Sequence, residues 1–440
     1  MSKLGRRMSR SRGGAWVTGV GLVTPAGAGA ADTWSHIVHN NTCSLYIDYK
    51  PSVTNYRSSH HTNTLSLLKE RQWCAAAAGG YAPPAGVVSA DRMTHFAAVA
   101  AEEAAGRAGL RPDEVRGGRA DRCRVSIGSS KGGVITFGEA LDQLASASVK
   151  GNGAAVFGRL LQEFPPDAAA RRVAERFGIT GGAHATVAAC ATGALALVRA
   201  AQWIEEDEAD IVLAGSSDAS IAPLWLAAFD RMGVQARAHP TLGPAFACRP
   251  FDRTREGFIV GEGAAVLVLE SERSVRRRGV EPLARLAGYA AGSDPAGLTG
   301  LAPDAGPLAE VIRRAVARAG IEPRQIAAIQ AHGTATPIND RVEVEAIREV
   351  QGGCTSSVPV VSFKGAIGHL LGAAGSVETA LAVLAIRHGV CPGNATLLEP
   401  DPDLGPLVLP RGAFDLAPGP ILKISMGFGG HLAALVVVPP

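Results

Sequence analysis

Val187-Ala188-Ala189-Cys190-Ala191-Thr192-Gly193 is the stretch that decides the fold, because an apolar run ends there and a helical pattern of small residues begins. Residues 185–189 have the pattern of a buried strand, and residues 193–204 have that of a helix. The helix N-terminus favours a thiolate at Cys190, and small neighbours leave room for a substrate. A buried structural cysteine is the alternative interpretation, because free cysteine is among the most buried residue types.

A second short motif, Ala331-His332-Gly333-Thr334-Ala335-Thr336-Pro337, carries a histidine. His332 directly follows an apolar stretch at residues 326–330 that is predicted to be a strand. The hydroxyls of Thr334 and Thr336 are suited to hold the imidazole ring by hydrogen bonds. An ordinary loop histidine is the alternative interpretation of this residue.

A third motif follows a predicted strand at residues 358–362 and runs from Lys364 to His369 with the sequence KGAIGH. His369 either caps a helix or belongs to a site at the start of that helix. Lys364 is predicted to be buried and paired, with Asp340 and Glu343 as candidate counter-charges. A cysteine nucleophile with two distant histidines and a lysine is the equipment that acyl-thioester chemistry needs.

Short apolar runs alternate with helical patterns along the chain, which is typical of α/β layering. In two places a strand leads to a chemical motif and then to a helix of small apolar residues, which is a weak internal duplication. The sequence therefore predicts two similar halves that meet at their strand ends. The half carrying the nucleophilic cysteine is predicted to span residues 15–270, and the half carrying the histidines and the lysine residues 271–440.

The composition is that of a globular chain, with 47% hydrophobic and 19% charged residues among 440. A net charge of +3 does not call for nucleic acid or an anionic membrane as a partner. Residues 1–14 are basic with no apolar stretch behind them, so we expect a flexible tail rather than a secretory signal or a transit peptide. No unbroken apolar run of about 18 residues occurs, so no membrane span is predicted.

Seven cysteines are scattered along the chain, an odd number without a CxxC pair. Neither a disulfide framework nor a zinc site is indicated, and no metal or organic cofactor is expected. A reducing interior fits this pattern best, so we expect a cytoplasmic protein. Residues 41–90 have little periodicity and are expected to form a long irregular excursion.

Taken together, the motifs resemble those of the elongating β-ketoacyl-acyl carrier protein synthases, which include the type II polyketide ketosynthases. The resemblance runs from about residue 16 to residue 438. It implies the thiolase fold with a duplicated five-layer αβαβα core, and a dimer. The motifs that carry it, in the family's order, are Cys190-Ala191-Thr192-Gly193, Pro250-Phe251-Asp252 with Gly261-Glu262-Gly263, His332 to Pro337, Lys364 with Gly368 to Gly375, and Gly427-Phe428-Gly429-Gly430.

The resemblance also implies a role for each motif residue. Cys190 would take an acyl group from an acyl carrier protein as a thioester. Malonyl-carrier protein would then lose carbon dioxide, while His332 and His369 stabilise the enolate that condenses with the acyl group. Lys364 would keep the charge and geometry of the histidines correct. The other implied residues are Cys190 and Phe428 as oxyanion hole, Phe428 as gate, and Thr334, Thr336, Asp340 and Glu343 as support.

Two positions behind the gate depart from the family pattern. Ile424 stands where asparagine is usual, and His431 and Leu432 follow the glycines where another asparagine is usual. We therefore interpret the chain as an enzyme of polyketide or specialised fatty-acid biosynthesis rather than of housekeeping fatty-acid synthesis.

Two other hypotheses stay open. One is a ketosynthase-like acyltransferase that forms an ester or an amide, against which the complete set of two histidines and a lysine argues. The other is a non-condensing partner subunit, against which Cys190 argues. The resemblance leaves undecided whether the dimer is homomeric or formed with a chain-length-factor-like subunit.

Overall fold

The computed structural model describes residues 14–48, 72–82, 90–116, 120–145, 153–353 and 357–440. The predicted basic tail at residues 1–14 lies outside the described residues, apart from its last residue. Most of the irregular excursion predicted over residues 41–90 also lies outside them. In the described part of that excursion, Trp73 is buried in a short strand.

Ten strands form two sets of five with one common order, β6-β5-β7-β9-β1 and β12-β11-β15-β16-β10 in the numbering given below. In each set the first two pairings are parallel and the last two are antiparallel. A short pairing of β1 with β10 joins the two sets. The internal duplication predicted from the sequence is therefore present in the sheet topology. The described strands are β1 (Ala15–Thr24), β2 (Gly27–Ala28), β3 (Leu45–Asp48), β4 (Gln72–Ala76), β5 (Cys123–Gly128), β6 (Ala183–His184), β7 (Ile211–Asp218), β8 (Val260–Gly261), β9 (Gly263–Glu270), β10 (Ala284–Ser293), β11 (Ala328–Gln330), β12 (Val360–Val361), β13 (Val390–Cys391), β14 (Phe414–Asp415), β15 (Ile421–Gly427) and β16 (His431–Val438).

The helices form three layers around these strands. The described helices are α1 (Ala30–Val38), α2 (Arg92–Arg107), α3 (Pro112–Arg116), α4 (Val134–Ala145), α5 (Gly153–Glu163), α6 (Ala168–Phe177), α7 (Thr192–Glu205), α8 (Pro223–Arg231), α9 (Glu272–Arg278), α10 (Gly306–Ala319), α11 (Pro337–Val350), α12 (Lys364–Ile367) and α13 (Ala374–His388). Helices α2 and α6 cover the outer face of the first set, α10 and α11 cover that of the second, and α7 and α13 lie between the sets. The predicted five-layer αβαβα core is confirmed. None of the helices in the described residues is long and apolar enough to cross a membrane.

The layers follow from the alternation of side chains along each strand. On β7, Val212 and Ala214 face the central helices, whereas Ile211 and Leu213 face the outer layer. Both faces of the strand are covered, which explains why its sequence is an almost continuous apolar run. The central helices α7 and α13 are buried nearly all round, which explains their small, apolar residues.

The two central helices approach so closely that each needs a glycine at the contact. A Cβ atom built on Gly193 would lie 2.4 Å from the backbone nitrogen of Ser376. A Cβ atom built on Gly375 would likewise lie 2.4 Å from the backbone nitrogen of Ala194. Because these glycines closely follow the cysteine motif and the third motif, the contact brings the two motifs together.

Two element boundaries predicted near the motifs are wrong. The strand predicted over residues 185–189 ends at His184, and Ala189–Ala191 form a 3₁₀ turn instead. The reason is the backbone of Ala189, whose φ of 46° lies outside the β region. The helix of small apolar residues predicted directly after His369 begins only at Ala374, after a 3₁₀ turn at Leu371–Ala373.

Candidate active site

Cys190 lies in a tight turn at the start of helix α7. Ala189 before it has a left-handed backbone, which costs a residue with a Cβ atom about 1 kcal/mol. The hydroxyl of Thr192 accepts a hydrogen bond from the backbone of Ala188 at 2.9 Å and donates one to the carbonyl of Ala189 at 2.7 Å. These bonds hold the turn, and Cys190 is 8% exposed within it.

A cavity of about 550 Å³ lies beside the cysteine. Cys190 and the two histidines come from different strand ends of the two halves, so the packing of the halves creates this cavity. Three predicted site residues are not on the wall of this cavity and are fully buried behind it, namely Lys364, Asp340 and Glu343. The predicted site residues on the wall are Cys190, His332, Thr334, Thr336, His369 and Phe428.

The two histidine rings contact each other edge to face, with 5.3 Å between the ring centroids. The ring of Phe258 packs against His369 on another side, at 5.0 Å. Burial, and after it the positive charge of Lys364, lowers the pKa of both His332 and His369 well below the usual value. Both imidazoles are therefore neutral at pH 7, and each offers one N–H donor.

Lys364 is buried and paired as predicted, but its counter-charge is a residue that sequence reasoning missed. Its ammonium donates to Glu378 at 2.6 Å and to the backbone carbonyl of His332. The second oxygen of Glu378 lies 2.8 Å from the ammonium of Lys423, which is also fully buried. One carboxylate thus bridges two buried lysines directly behind the first histidine.

Glu343 and Asp340 hold the backbone of the histidine turn instead of pairing with Lys364, which corrects the prediction from the sequence. Glu343 accepts hydrogen bonds from the backbone N–H of His332 and of the glycine after it. Asp340 accepts one from the backbone N–H of Ala335 at 3.1 Å. Burial raises the pKa of Glu343 to about 7, although the two N–H donors act in the opposite direction. Both carboxyl groups fix the direction of the turn that carries the histidine.

Phe428 lies on the cavity wall beside the turn of Cys190. A Cβ atom on Gly427 would lie 3.1 Å from the backbone nitrogen of Cys190, so the two segments touch through their backbones. The next glycine, Gly429, donates a hydrogen bond to the carbonyl of Leu298 at 2.7 Å. The segment that carries Phe428 is therefore held between the nucleophile turn and the loop that follows β10.

Thr334 and Thr336 hydrogen-bond to each other through their hydroxyls at 2.9 Å rather than to the imidazole of His332. Their place on the wall fits contact with a ligand rather than the predicted support of the ring. In the part of the chain that the structure describes, no group of three or more His, Cys, Asp or Glu side chains is arranged to hold a metal ion.

Glu378 and Lys423 had signals in the sequence that could have identified them. Glu378 is the one charged residue of helix α13 before Arg387 and His388 at its end. Lys423 is the one charged residue of strand β15. A charged side chain in an element buried on all sides must have a partner, and these two residues are each other's partners.

The environment of Cys190 favours the protonated thiol over the thiolate. Burial raises its pKa from 9.0 to about 11, and the charges of Lys131 and Lys364 act in the lowering direction. A helix N-terminus favours the thiolate, but burial is the largest influence on this thiol. The predicted effect of the helix on Cys190 is therefore outweighed by burial.

We expect the alkylation of Cys190 by iodoacetamide to speed up about tenfold per pH unit from pH 7 to pH 9, because only the thiolate reacts. Peptide mass mapping of the free enzyme measures this rate. A glutathione control in the same tube should level off near its own pKa of about 8.5. A rate at Cys190 that is already constant at pH 8 would contradict the raised pKa.

The motifs and the whole chain match known proteins. Residues 16–274 match the family model of the β-ketoacyl synthase N-terminal domain, and residues 283–397 match that of the C-terminal domain. The ketoacyl synthase alpha subunit of the tetracenomycin polyketide synthase of Streptomyces glaucescens is 35% identical over 438 residues, which cover 96% of each chain.

Two solved structures have the same fold over nearly the whole length. The ishigamide ketosynthase/chain length factor gives a TM-score of 0.82 at 27% identity and covers 98% of this chain and 100% of that chain. A type II polyketide synthase acyl-carrier protein in complex with its ketosynthase, bound to the hexaketide, gives a TM-score of 0.82 at 28% identity. That alignment covers 97% of this chain and 99% of the other.

Proposed function

The chain belongs to the β-ketoacyl synthase family of condensing acyltransferases, and from this premise we propose that Cys190, His332 and His369 carry out its decarboxylative condensation. The observation that carries the proposal is that these three residues, from three distant motifs, share one cavity wall. A buried structural cysteine would not need two neutral histidines in the same cavity.

In the first half-reaction the sulfur of Cys190 attacks the carbonyl carbon of an acyl thioester on a carrier protein. A bond forms between sulfur and carbon, the carrier thiolate leaves, and the proton of the cysteine ends on the carrier thiol. The backbone N–H groups of Cys190 and Phe428 are the proposed donors to the oxyanion. Their segments touch at Gly427, where a built Cβ atom would lie 3.1 Å from the backbone nitrogen of Cys190, and this closeness supports the assignment.

In the second half-reaction a malonyl thioester loses carbon dioxide. The bond between the carboxylate carbon and the neighbouring carbon breaks, and its electron pair passes into an enolate. The enolate oxygen accepts hydrogen bonds from the N–H groups of His332 and His369. Because both rings are neutral, they are donors without an extra charge that would need solvation. The enolate carbon attacks the acyl carbonyl on Cys190, and the cysteine leaves as thiolate and takes up a proton from the solvent. The products are carbon dioxide and a β-ketoacyl thioester.

Lys364 is proposed to act through His332 rather than on the substrate. It does not reach the cavity wall, and it binds the backbone carbonyl of that histidine. Asp340 and Glu343 position the same turn from its other side. We propose that these three are positioning residues, and that Thr334 and Thr336 contact the carrier's prosthetic arm or the malonyl group.

We propose a carrier protein as the donor of both thioesters and a dimer as the working form. Helices α4 and α5 contact each other, and four of their large apolar side chains are between 40% and 73% exposed, namely Leu141, Leu144, Phe157 and Leu161. Exposed apolar side chains of this kind fit a subunit interface. A second copy or a chain-length-factor-like subunit can cover them, and the similar ishigamide structure is that of a ketosynthase/chain length factor.

We propose polyketide biosynthesis as the setting, because the tetracenomycin subunit is related over nearly the full length. The cytoplasm is the proposed compartment. We also propose that the nucleophile belongs to a half spanning residues 15–270 and the histidines to a half spanning residues 271–440. Clean rescue of fatty-acid elongation in a strain without its own synthase would contradict the polyketide setting.

Intact-protein mass spectrometry with acyl-carrier proteins, followed by malonyl-carrier protein, tests the function. We expect the His332→Ala variant to take up the acyl group on Cys190 but to condense about 100-fold more slowly, because one of two enolate donors is lost. The wild-type protein should release a β-ketoacyl product. An adduct that never condenses in the wild type would favour the ester- or amide-forming acyltransferase, and no adduct from any donor would favour the non-condensing subunit.

A further inference from the structure

Lys131 is a lysine close to the nucleophile with no part in the reaction described above. It lies in the turn between β5 and α4, and its side chain is 16% exposed. Its ammonium lies over the rings of Trp225 and Phe229, at 5.4 Å and 5.8 Å from their centroids. Both rings pack in or against the apolar cluster that contains Cys190.

The ammonium of Lys131 has N–H groups that can donate further hydrogen bonds. It donates to the hydroxyl of Ser130 at 2.6 Å, and the carboxylate of Asp218 lies 3.8 Å away, too far for a hydrogen bond. The oxygens of Asp218 already accept hydrogen bonds from Ser130, Ser220 and Gly372. Asp218 thus balances the charge of the lysine without using its N–H groups, of which an ammonium has three.

A continuous row of aromatic rings connects this lysine to the reaction centre. Phe229 contacts Phe258 at 5.6 Å between ring centroids, and Phe258 contacts His369 at 5.0 Å. Gly372, which donates to Asp218, lies three residues after that histidine. The positive charge also reaches the sulfur, because among the charged groups Lys131 lowers the pKa of Cys190 most. Phe258 lines the cavity beside Cys190, whereas Phe229 and Lys131 lie beyond its wall. An acyl chain on the cysteine that passes Phe258 toward Phe229 would arrive at Lys131.

A saturated acyl chain and an oxygen-bearing acyl chain would differ in binding free energy beside this ammonium. A saturated chain would displace water from Lys131 and offer no acceptor in return, and an unsatisfied charged donor costs free energy. A keto or carboxyl oxygen on the chain would accept one of the free N–H groups. The surrounding rings would still pack against the apolar part of such a chain.

We propose that Lys131, held by Ser130 and Asp218, is an acyl-recognition residue that selects acyl groups carrying a hydrogen-bond-accepting oxygen over saturated ones. The proposal rests on the proposed function, since it concerns the acyl group bound to Cys190. It names the chemical class of the substrate, which the catalytic residues themselves leave open.

The test compares the rate of Cys190 acylation by carrier proteins loaded with matched eight-carbon acyl groups. The four groups are octanoyl, octanoyl with a keto oxygen at mid-chain, octanoyl with a keto oxygen near the tail, and octanedioyl, which ends in a carboxylate. We expect the wild-type protein to prefer at least one oxygen-bearing group over octanoyl by about tenfold, as a hydrogen bond to a charged group suggests. Comparison of the two keto groups with octanedioyl shows whether Lys131 recognises a keto oxygen or a carboxylate.

The Lys131→Met variant should lose this preference, and Lys131→Arg should retain most of it, because methionine keeps the stem but not the donor. The readout is the ratio of two acylation rates within one protein. A general loss of cysteine reactivity or a partial folding defect changes both rates alike and leaves that ratio unchanged. A melting curve of each variant confirms that folded protein is compared.

Two outcomes would overturn the proposal. One is acylation of the wild type at equal rates by all four groups, and the other is an unchanged ratio in Lys131→Met. Either leaves the proposed condensation intact as long as Cys190 is acylated and a β-ketoacyl product forms. If no group acylates Cys190 in the wild type, the proposed function fails first, and the selectivity proposal fails with it.

Discussion

Replacing Cys190 by alanine is expected to abolish the covalent acyl adduct and to slow condensation by about ten-thousand-fold or more, because the acyl group then has no attachment point. The side chain removed is small and lies beside a cavity, so the fold should persist. Mass spectrometry of the acylated protein and product analysis after malonyl-carrier protein measure the two effects.

Cys248 provides a matched control for this prediction. It belongs to the same apolar cluster, is 1% exposed, and burial raises its pKa to about 12. Unlike Cys190, it is not on the cavity wall. The Cys248→Ala variant should therefore take up the acyl group as the wild type does. An adduct that persists in Cys190→Ala and disappears in Cys248→Ala would reassign the nucleophile.

Replacing Glu378 by alanine is expected to lower the free energy of unfolding by about 3–5 kcal/mol, the range found when one partner of a buried ion pair is removed. Two fully buried ammonium groups, those of Lys364 and Lys423, would lose their shared carboxylate. The carbonyl of His332 would also lose a firmly held donor, so activity should fall below about one per cent. Urea denaturation and the condensation assay measure the two effects.

Glu310→Ala is the control for the removal of a glutamate. Glu310 lies on α10, 59% exposed, with its carboxylate 3.5 Å from Arg313, and an exposed pair of this kind contributes about 1 kcal/mol or less. If Glu378→Ala unfolds at the same urea concentration as Glu310→Ala, the bridge between the lysines has no structural role. Adding Lys423→Met to Glu378→Ala removes one of the two unpaired ammonium groups. The double variant should therefore regain part of the stability that Glu378→Ala loses.

The sequence was sufficient for the parts of the site that short motifs encode. Cys190, His332 and His369 stand in stretches of small residues at strand ends, and the duplicated α/β pattern predicts that those ends meet. The structure places all three on one cavity wall.

The partner of Lys364 could not be predicted from residues that are close to the histidine motif in the sequence. Asp340 and Glu343 are closer to the histidine motif in the sequence. Glu343 accepts backbone N–H groups of that turn with both oxygens, and Asp340 accepts those of Ala335 and Phe251. Glu378 lies in the second turn of α13, and the packing of this helix against β15 and the third motif decides which lysines it meets. Lys131 was missed for the same reason, since its relation to Cys190 depends on how β5 lies beside the nucleophile turn.

The strand order has a consequence for how the chain is made. Trp16 on β1 lies beside Glu270 on β9, and Arg285 on β10 lies beside Val438 on β16, so each half pairs its first strand with its last. During synthesis, β1 emerges long before its neighbour β9, and β10 emerges long before its neighbour β16. Such distant pairings form slowly and leave apolar strands uncovered in the meantime. The yield of active protein in a foreign host will therefore depend on chaperones that protect the growing chain, more than on the stability of the finished molecule.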